Sequence, residues 1–85
     1  MNNYKNILNY LEKNVRITWL GEIVVPPILL TSEAMQLSLE DVEEIYAELE
    51  ARNIIVATSE YCYTVGPYFK FSDELKRKIG TISRR

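Results

Sequence analysis

Apolar positions recur along this chain with two different periods, and each period predicts a different kind of element. Tyr4, Ile7, Leu8 and Leu11 are spaced three and four apart, with Lys5, Asn9, Glu12 and Lys13 between them. That spacing predicts a first helix over 4–14, capped by Asn2 or Asn3 and stopped at Asn14. From Val15 to Val25 the chain is rich in β-branched and aromatic residues and is broken by Gly21. This stretch predicts a short strand or extended segment, with Trp19 as a core residue. Pro26-Pro27 ends it, because neither proline donates a backbone hydrogen bond and each restricts its predecessor.

A second, short helix is expected over 28–36, with Pro27 near its first turn and Thr31 or Ser32 as rival caps. Ser38 then suits the N-cap of a third helix over 39–52, with Asp41 three residues on. Leu39, Val42, Ile45, Tyr46 and Leu49 form its apolar stripe. Asn53 suits the left-handed residue that closes it.

After Asn53 the period drops to two. Residues 54–58 and 61–65 predict a hairpin around Ser59-Glu60, occupying 54–65 in all. With a two-residue turn, Ile54, Val56, Thr58, Tyr61, Tyr63 and Val65 share one face. Ile55, Ala57, Cys62 and Thr64 share the other. Ser-Glu lacks the glycine or asparagine of a tight turn, so a longer loop is the alternative. Gly66-Pro67 ends the hairpin, and Ser72 is positioned to cap a short C-terminal helix over 73–79.

Helix, extended segment, helix, turn, helix, hairpin is the order of a winged helix-turn-helix domain. The expected class is α+β, mainly α: a three-helix core, a hairpin wing and a short C-terminal helix, in one domain over 1–85. Eighty-five residues allow one modest core. The chain has one cysteine and no histidine. No disulfide within it is possible, no zinc site is expected, and Cys62 reads as a small buried hydrophobe. No cofactor is expected. No secretory leader or membrane span is visible, and the expected location is cytoplasmic.

The net charge of −2 hides a strong asymmetry. Residues 39–60 carry seven acids against Arg52 alone, a net of −6. Residues 61–85 carry six bases against Asp73 and Glu74, a net of +4. Glu40, Asp41, Glu43, Glu44 and Glu48 crowd the third helix, and Lys76, Arg77, Lys78, Arg84 and Arg85 crowd the C-terminus.

From Pro26 onward the spacing resembles the DNA-binding domain of GntR-type transcription regulators. Val25-Pro26 stands where that family opens its second helix, and Leu37-Ser38 falls twelve residues later. Val42, Leu49-Glu50 and Asn53-Ile54-Ile55 follow in register, and Val65 closes the wing, about forty residues without a gap. The resemblance implies a winged-helix scaffold, a role around transcription regulation and double-stranded DNA as partner. The sequence departs from the family where DNA would be touched. Leu39 and Glu43 replace the usual donors, and Glu60 and Cys62 replace the wing glycines.

Duplex DNA repels such a helix, because phosphate neutralisation by Lys and Arg supplies most nonspecific affinity. The acids therefore read as a solvated face, as a surface selecting a basic partner or repelling DNA, or as direct readers of bases. The C-terminal bases read as a solvated terminus, as phosphate contacts, or as a partner for the acidic helix of a second copy. Tyr61 and Tyr63, with Tyr68, Phe69 and Phe71, read as core and cover or as an interface. No nucleophile pattern, histidine base or glycine-rich phosphate loop points to an enzyme. Two functions stay open: a DNA-contacting regulator using the basic segment, and a protein-interaction or dimerisation module on the same scaffold.

Overall fold

The computed structural model describes residues 3–59, 62–71 and 76–77. Among these the chain forms three helices and one four-stranded antiparallel sheet, an α+β arrangement that is about half helical. Helix α1 spans Asn3–Asn14 and buries Ile7 and Leu11 completely. Its end is fastened by the Asn14 side-chain amide, which donates to the Tyr10 carbonyl at 2.8 Å.

The segment after α1 is a hairpin, not the single extended run expected. Strand β1 (Arg16–Ile17) pairs with β2 (Ile23–Val25), matching Arg16 with Val24 and Ile17 with Ile23. Gly21, at φ +88°, permits the reversal. The Thr18 amide donates to the Glu22 carbonyl at 2.8 Å, and the Gly21 amide donates to the Thr18 carbonyl at 2.9 Å. Trp19 occupies the tip of this turn and is 92% exposed, so the expectation of a core tryptophan is corrected.

Helix α2 spans Ile28–Met35, with Pro27 extended just before it. Gln36, expected in the helix, instead closes it in the left-handed conformation at φ 57°. The Leu37 amide reaches back to the Ser32 carbonyl (3.1 Å) and the Gln36 amide to that of Glu33 (3.4 Å), the double closure that satisfies two terminal carbonyls. Thr31 and Ser32 are buried inside the helix and cap nothing. Ser32 Oγ donates to the Leu37 carbonyl at 2.6 Å, which ties the turn to the helix it ends.

Helix α3 spans Leu39–Ala51, and the Ser38 hydroxyl accepts from the Asp41 amide at 3.1 Å, as its N-cap position predicts. Arg52 lies just beyond the helix. Asn53 adopts the expected left-handed conformation at φ 61°, and the Ile54 amide bonds the Leu49 carbonyl at 2.9 Å. Val42, Tyr46 and Leu49 are fully buried and Ile45 half-buried, so the predicted stripe faces the core except at exposed Leu39.

Strands β3 (Ile55–Ser59) and β4 (Cys62–Val65) complete the sheet in the order β1-β2-β4-β3. Their register corrects the expected faces. Ile55 pairs with Val65 and Ala57 with Tyr63, so these four share one face while Val56 and Thr64 share the other. The register slips between Ala57 and Ser59, and Ser59 pairs with Cys62 where Thr58 with Tyr61 was expected. A slip of one residue exchanges the faces of a whole strand. Cys62 is accordingly exposed, which corrects its expected burial.

The core joins Ile7 and Leu11 of α1, Val42, Tyr46 and Leu49 of α3, Val25 and Ile55 of the sheet, and Phe69. Gly66 passes so close to Asn53 that a Cβ there would collide with its carbonyl oxygen. Of the C-terminal helix expected over 73–79, Lys76 and Arg77 are helical and exposed. Its other residues lie outside the described ones.

Candidate interaction surfaces

The buried stripe of α3 fixes how the helix is rotated, and that rotation decides the character of its outer face. With Val42, Tyr46 and Leu49 turned inward, Glu40, Asp41, Glu43, Glu44, Glu48 and Glu50 are all exposed. Glu40 and Asp41 fall in the first turn, where the helix dipole favours negative charge. Glu48 is partly neutralised, because its carboxylate lies 2.7 Å from the Arg52 guanidinium. Arg52 also stands 5.1 Å over the ring of Tyr4 and so ties the end of α3 to α1. The sequence-predicted partner acids Glu40, Asp41, Glu43, Glu44 and Glu48 are thus all exposed and carried on a single helix.

Tyr63 is only partly available to a partner. Its ring meets Tyr46 edge-on, with centroids 5.1 Å apart and planes at 77°. Burial, and then the carboxylates of Glu50 and Glu43, push its phenol upward. The second expected interface tyrosine, Tyr61, lies outside the described residues. Among the described residues the exposed tyrosine is Tyr68, at 71%. Phe69 is buried and stacks at a tilt on Phe71, 5.3 Å away, as cover for the core. Of the expected nucleic-acid contacts, Lys76 and Arg77 are exposed, while Lys78, Arg84 and Arg85 lie outside the described residues.

Beneath the Tyr46–Tyr63 pair is a polar lock. The Tyr46 hydroxyl donates to the Pro26 carbonyl, which commits its only proton. It therefore accepts from Thr31 Oγ1, 2.7 Å away. Burial pushes the Tyr46 phenol up to about 12, with the Thr31 hydrogen bond acting the other way. This lock holds the Pro26-Pro27 corner against α3 and thereby shapes a groove beside it. The groove, about 540 Å³, runs between the end of α1, the Pro-Pro corner and strands β1, β2 and β4. Tyr10, Pro26, Pro27, Leu30 and Tyr63 form much of its wall, with Asn14 and Arg16 as polar members.

Sequence reasoning missed both this groove and the exposed Trp19-Leu20 turn. The groove is assembled from distant segments and left no local signal. The turn did leave one: Thr18-Trp19-Leu20-Gly21 places glycine at the fourth position of a β-turn, where it is favoured. Among the described residues no cluster of three His, Cys, Asp or Glu is placed to hold a metal ion. No helix among them is long and apolar enough to cross a membrane. No protein-family model matches the chain, and no curated protein or solved structure matches it either.

Proposed function

We propose that this chain is a winged-helix-type protein with a role around transcription regulation, acting through protein contacts made by α3 rather than by reading duplex DNA with that helix. The scaffold reading is supported by the capped turn at Gln36 between α2 and α3 and by the β3–β4 hairpin following α3, in the order the GntR-type resemblance implies. The functional reading rests on one observation. The solvent face of α3 presents Glu40, Asp41, Glu43 and Glu44 within its first six residues, with no basic residue among them. Phosphates meet that face with like charge, whereas a lysine- and arginine-rich protein surface meets it with opposite charge.

A labelled lysine- and arginine-rich peptide tests the proposal. It should bind the wild-type chain with an affinity that falls with salt, and Glu43→Arg with Glu44→Arg should abolish that binding without altering the fold. Unchanged binding in the double variant would remove α3 as the functional surface.

A second reading is favoured by the exposure of Lys76 and Arg77 on a helical turn. On it, the basic segment including Lys78, Arg84 and Arg85 contacts DNA phosphates. Lys76→Glu with Lys78→Glu should then remove duplex binding.

A further inference from the structure

The Trp19-Leu20 turn is built in a way that solvent exposure alone does not explain. Tryptophan is 92% and leucine 67% exposed at adjacent positions, on a turn closed by three hydrogen bonds. Besides the two backbone bonds at Thr18, the Glu22 amide donates to Thr18 Oγ1 at 3.1 Å. The turn is therefore held in one shape while it presents a large apolar surface to water. A preorganised apolar anchor of this kind loses little entropy on docking.

An acceptor of matching chemistry lies on the same molecule. The groove of about 540 Å³ is walled by Tyr10, Pro26, Pro27 and Leu30, flat or aliphatic side chains suited to an indole. Arg16 is among its polar members and is exposed, and Glu22, beside the anchor, is exposed as well. Strand β1 is the outermost strand on its side of the sheet, so among the described residues no other strand separates the hairpin from an approaching molecule. The β1–β2 hairpin thus carries at its turn an apolar anchor flanked by an acid, while its Arg16 and Val24 line the apolar groove. That is the self-complementarity a twofold dimer requires.

We propose that two copies of this chain pair about a twofold axis. Each seats Trp19 and Leu20 in the other's groove, with Glu22 of each copy meeting Arg16 of the other. The symmetry closes the contact, so it yields a dimer and not a filament. Two such insertions bury roughly 1,000 Å², the size of a weak, transient interface. The proposal does not depend on what α3 binds. It also differs from a pairing of the acidic helix with the basic tail, because its apolar anchor keeps the dimer together in high salt.

Trp19 is the chain's only tryptophan, so its emission reads this one contact. Sedimentation velocity and tryptophan emission are followed across the same concentration series, without nucleic acid or other protein. The expected result is a doubling of mass accompanied, over the same range, by a blue shift of the emission. Trp19→Ser should leave a monomer with an unchanged circular dichroism spectrum. Arg16→Glu and Glu22→Arg should each weaken association roughly tenfold, and the two reversals combined should recover it. A chain that stays monomeric to about 1 mM overturns the proposal. So does a dimer whose tryptophan emission stays that of an exposed indole, or a double reversal that fails to recover association.

Discussion

Tyr46 concentrates in one side chain what holds this small protein together. Its ring is fully buried against Tyr63, and its hydroxyl joins α3 to both the Pro26 carbonyl and Thr31 of α2. Tyr46→Phe keeps the ring and strips the lock, leaving the Thr31 hydroxyl and the Pro26 carbonyl buried without that partner. The expected loss is about 1–3 kcal/mol, read as a lower urea midpoint with unchanged slope. The same hydroxyl makes the fold sensitive to alkali. Its phenol is pushed from 10.0 up to about 12, so the folded chain keeps a proton that the unfolded chain gives up. The stability that the retained proton contributes is complete below pH 10 and falls as pH rises toward 12, with Tyr63, also shifted upward, adding to the fall. Tyr46→Phe should flatten that decline in a pH series of thermal melts. A wild-type decline unchanged by the substitution would place the alkaline sensitivity elsewhere.

At the scale of elements, the clearest lever is the turn between α2 and α3. Gln36 holds φ 57° there, a conformation that costs a side-chain-bearing residue about 1 kcal/mol and glycine almost nothing. Gln36→Gly should therefore raise stability by about 0.5–1 kcal/mol, measured as a higher melting temperature with the same spectrum. The carbonyls of Ser32 and Glu33 keep their bonds, because these come from backbone amides. What the sequence allowed to be read divides along similar lines. Helices α1 and α3 were legible because Ile7 with Leu11, and Val42 with Tyr46 and Leu49, mark one face each at helical spacing, whereas α2 was legible from Pro27 near its first turn. Caps with a local chemistry, Ser38 and Asn53, were legible as well. The β3–β4 register was not, because one irregularity between Ala57 and Ser59 exchanges the two faces and nothing in Ile54-Ile55-Val56 prefers either. The β1–β2 hairpin was hidden by its brevity, with strands of two and three residues. Reading Trp19 as core followed from treating that stretch as one strand. The groove beside Pro26 was beyond local pattern, since α1, α2 and the sheet must meet before it exists.

For the molecule as a whole, the decisive quantity is where charge sits relative to the scaffold. A net of −2 over the chain coexists with an α3 whose outer face is acidic and a C-terminal segment rich in Lys and Arg. Association with duplex DNA depends on the local field, so the segments must be tested separately. Glu43→Arg with Glu44→Arg changes the charge by four, from −2 to +2, entirely on α3. If α3 occupies the place of a winged-helix recognition helix, two new cations there face phosphate. Fluorescence anisotropy with a labelled mixed-sequence duplex, at about 50 and 200 mM salt, should then show binding that the wild-type chain lacks. The variant's log affinity should fall with log salt at a slope of roughly −2, about one released counterion for each new contact. If the variant stays silent at low salt, α3 does not face DNA and the winged-helix orientation is wrong. Steep low-salt binding by the wild type, removed by Lys76→Glu with Lys78→Glu, would instead assign DNA contact to the basic segment and leave the acids of α3 as the face turned away from it.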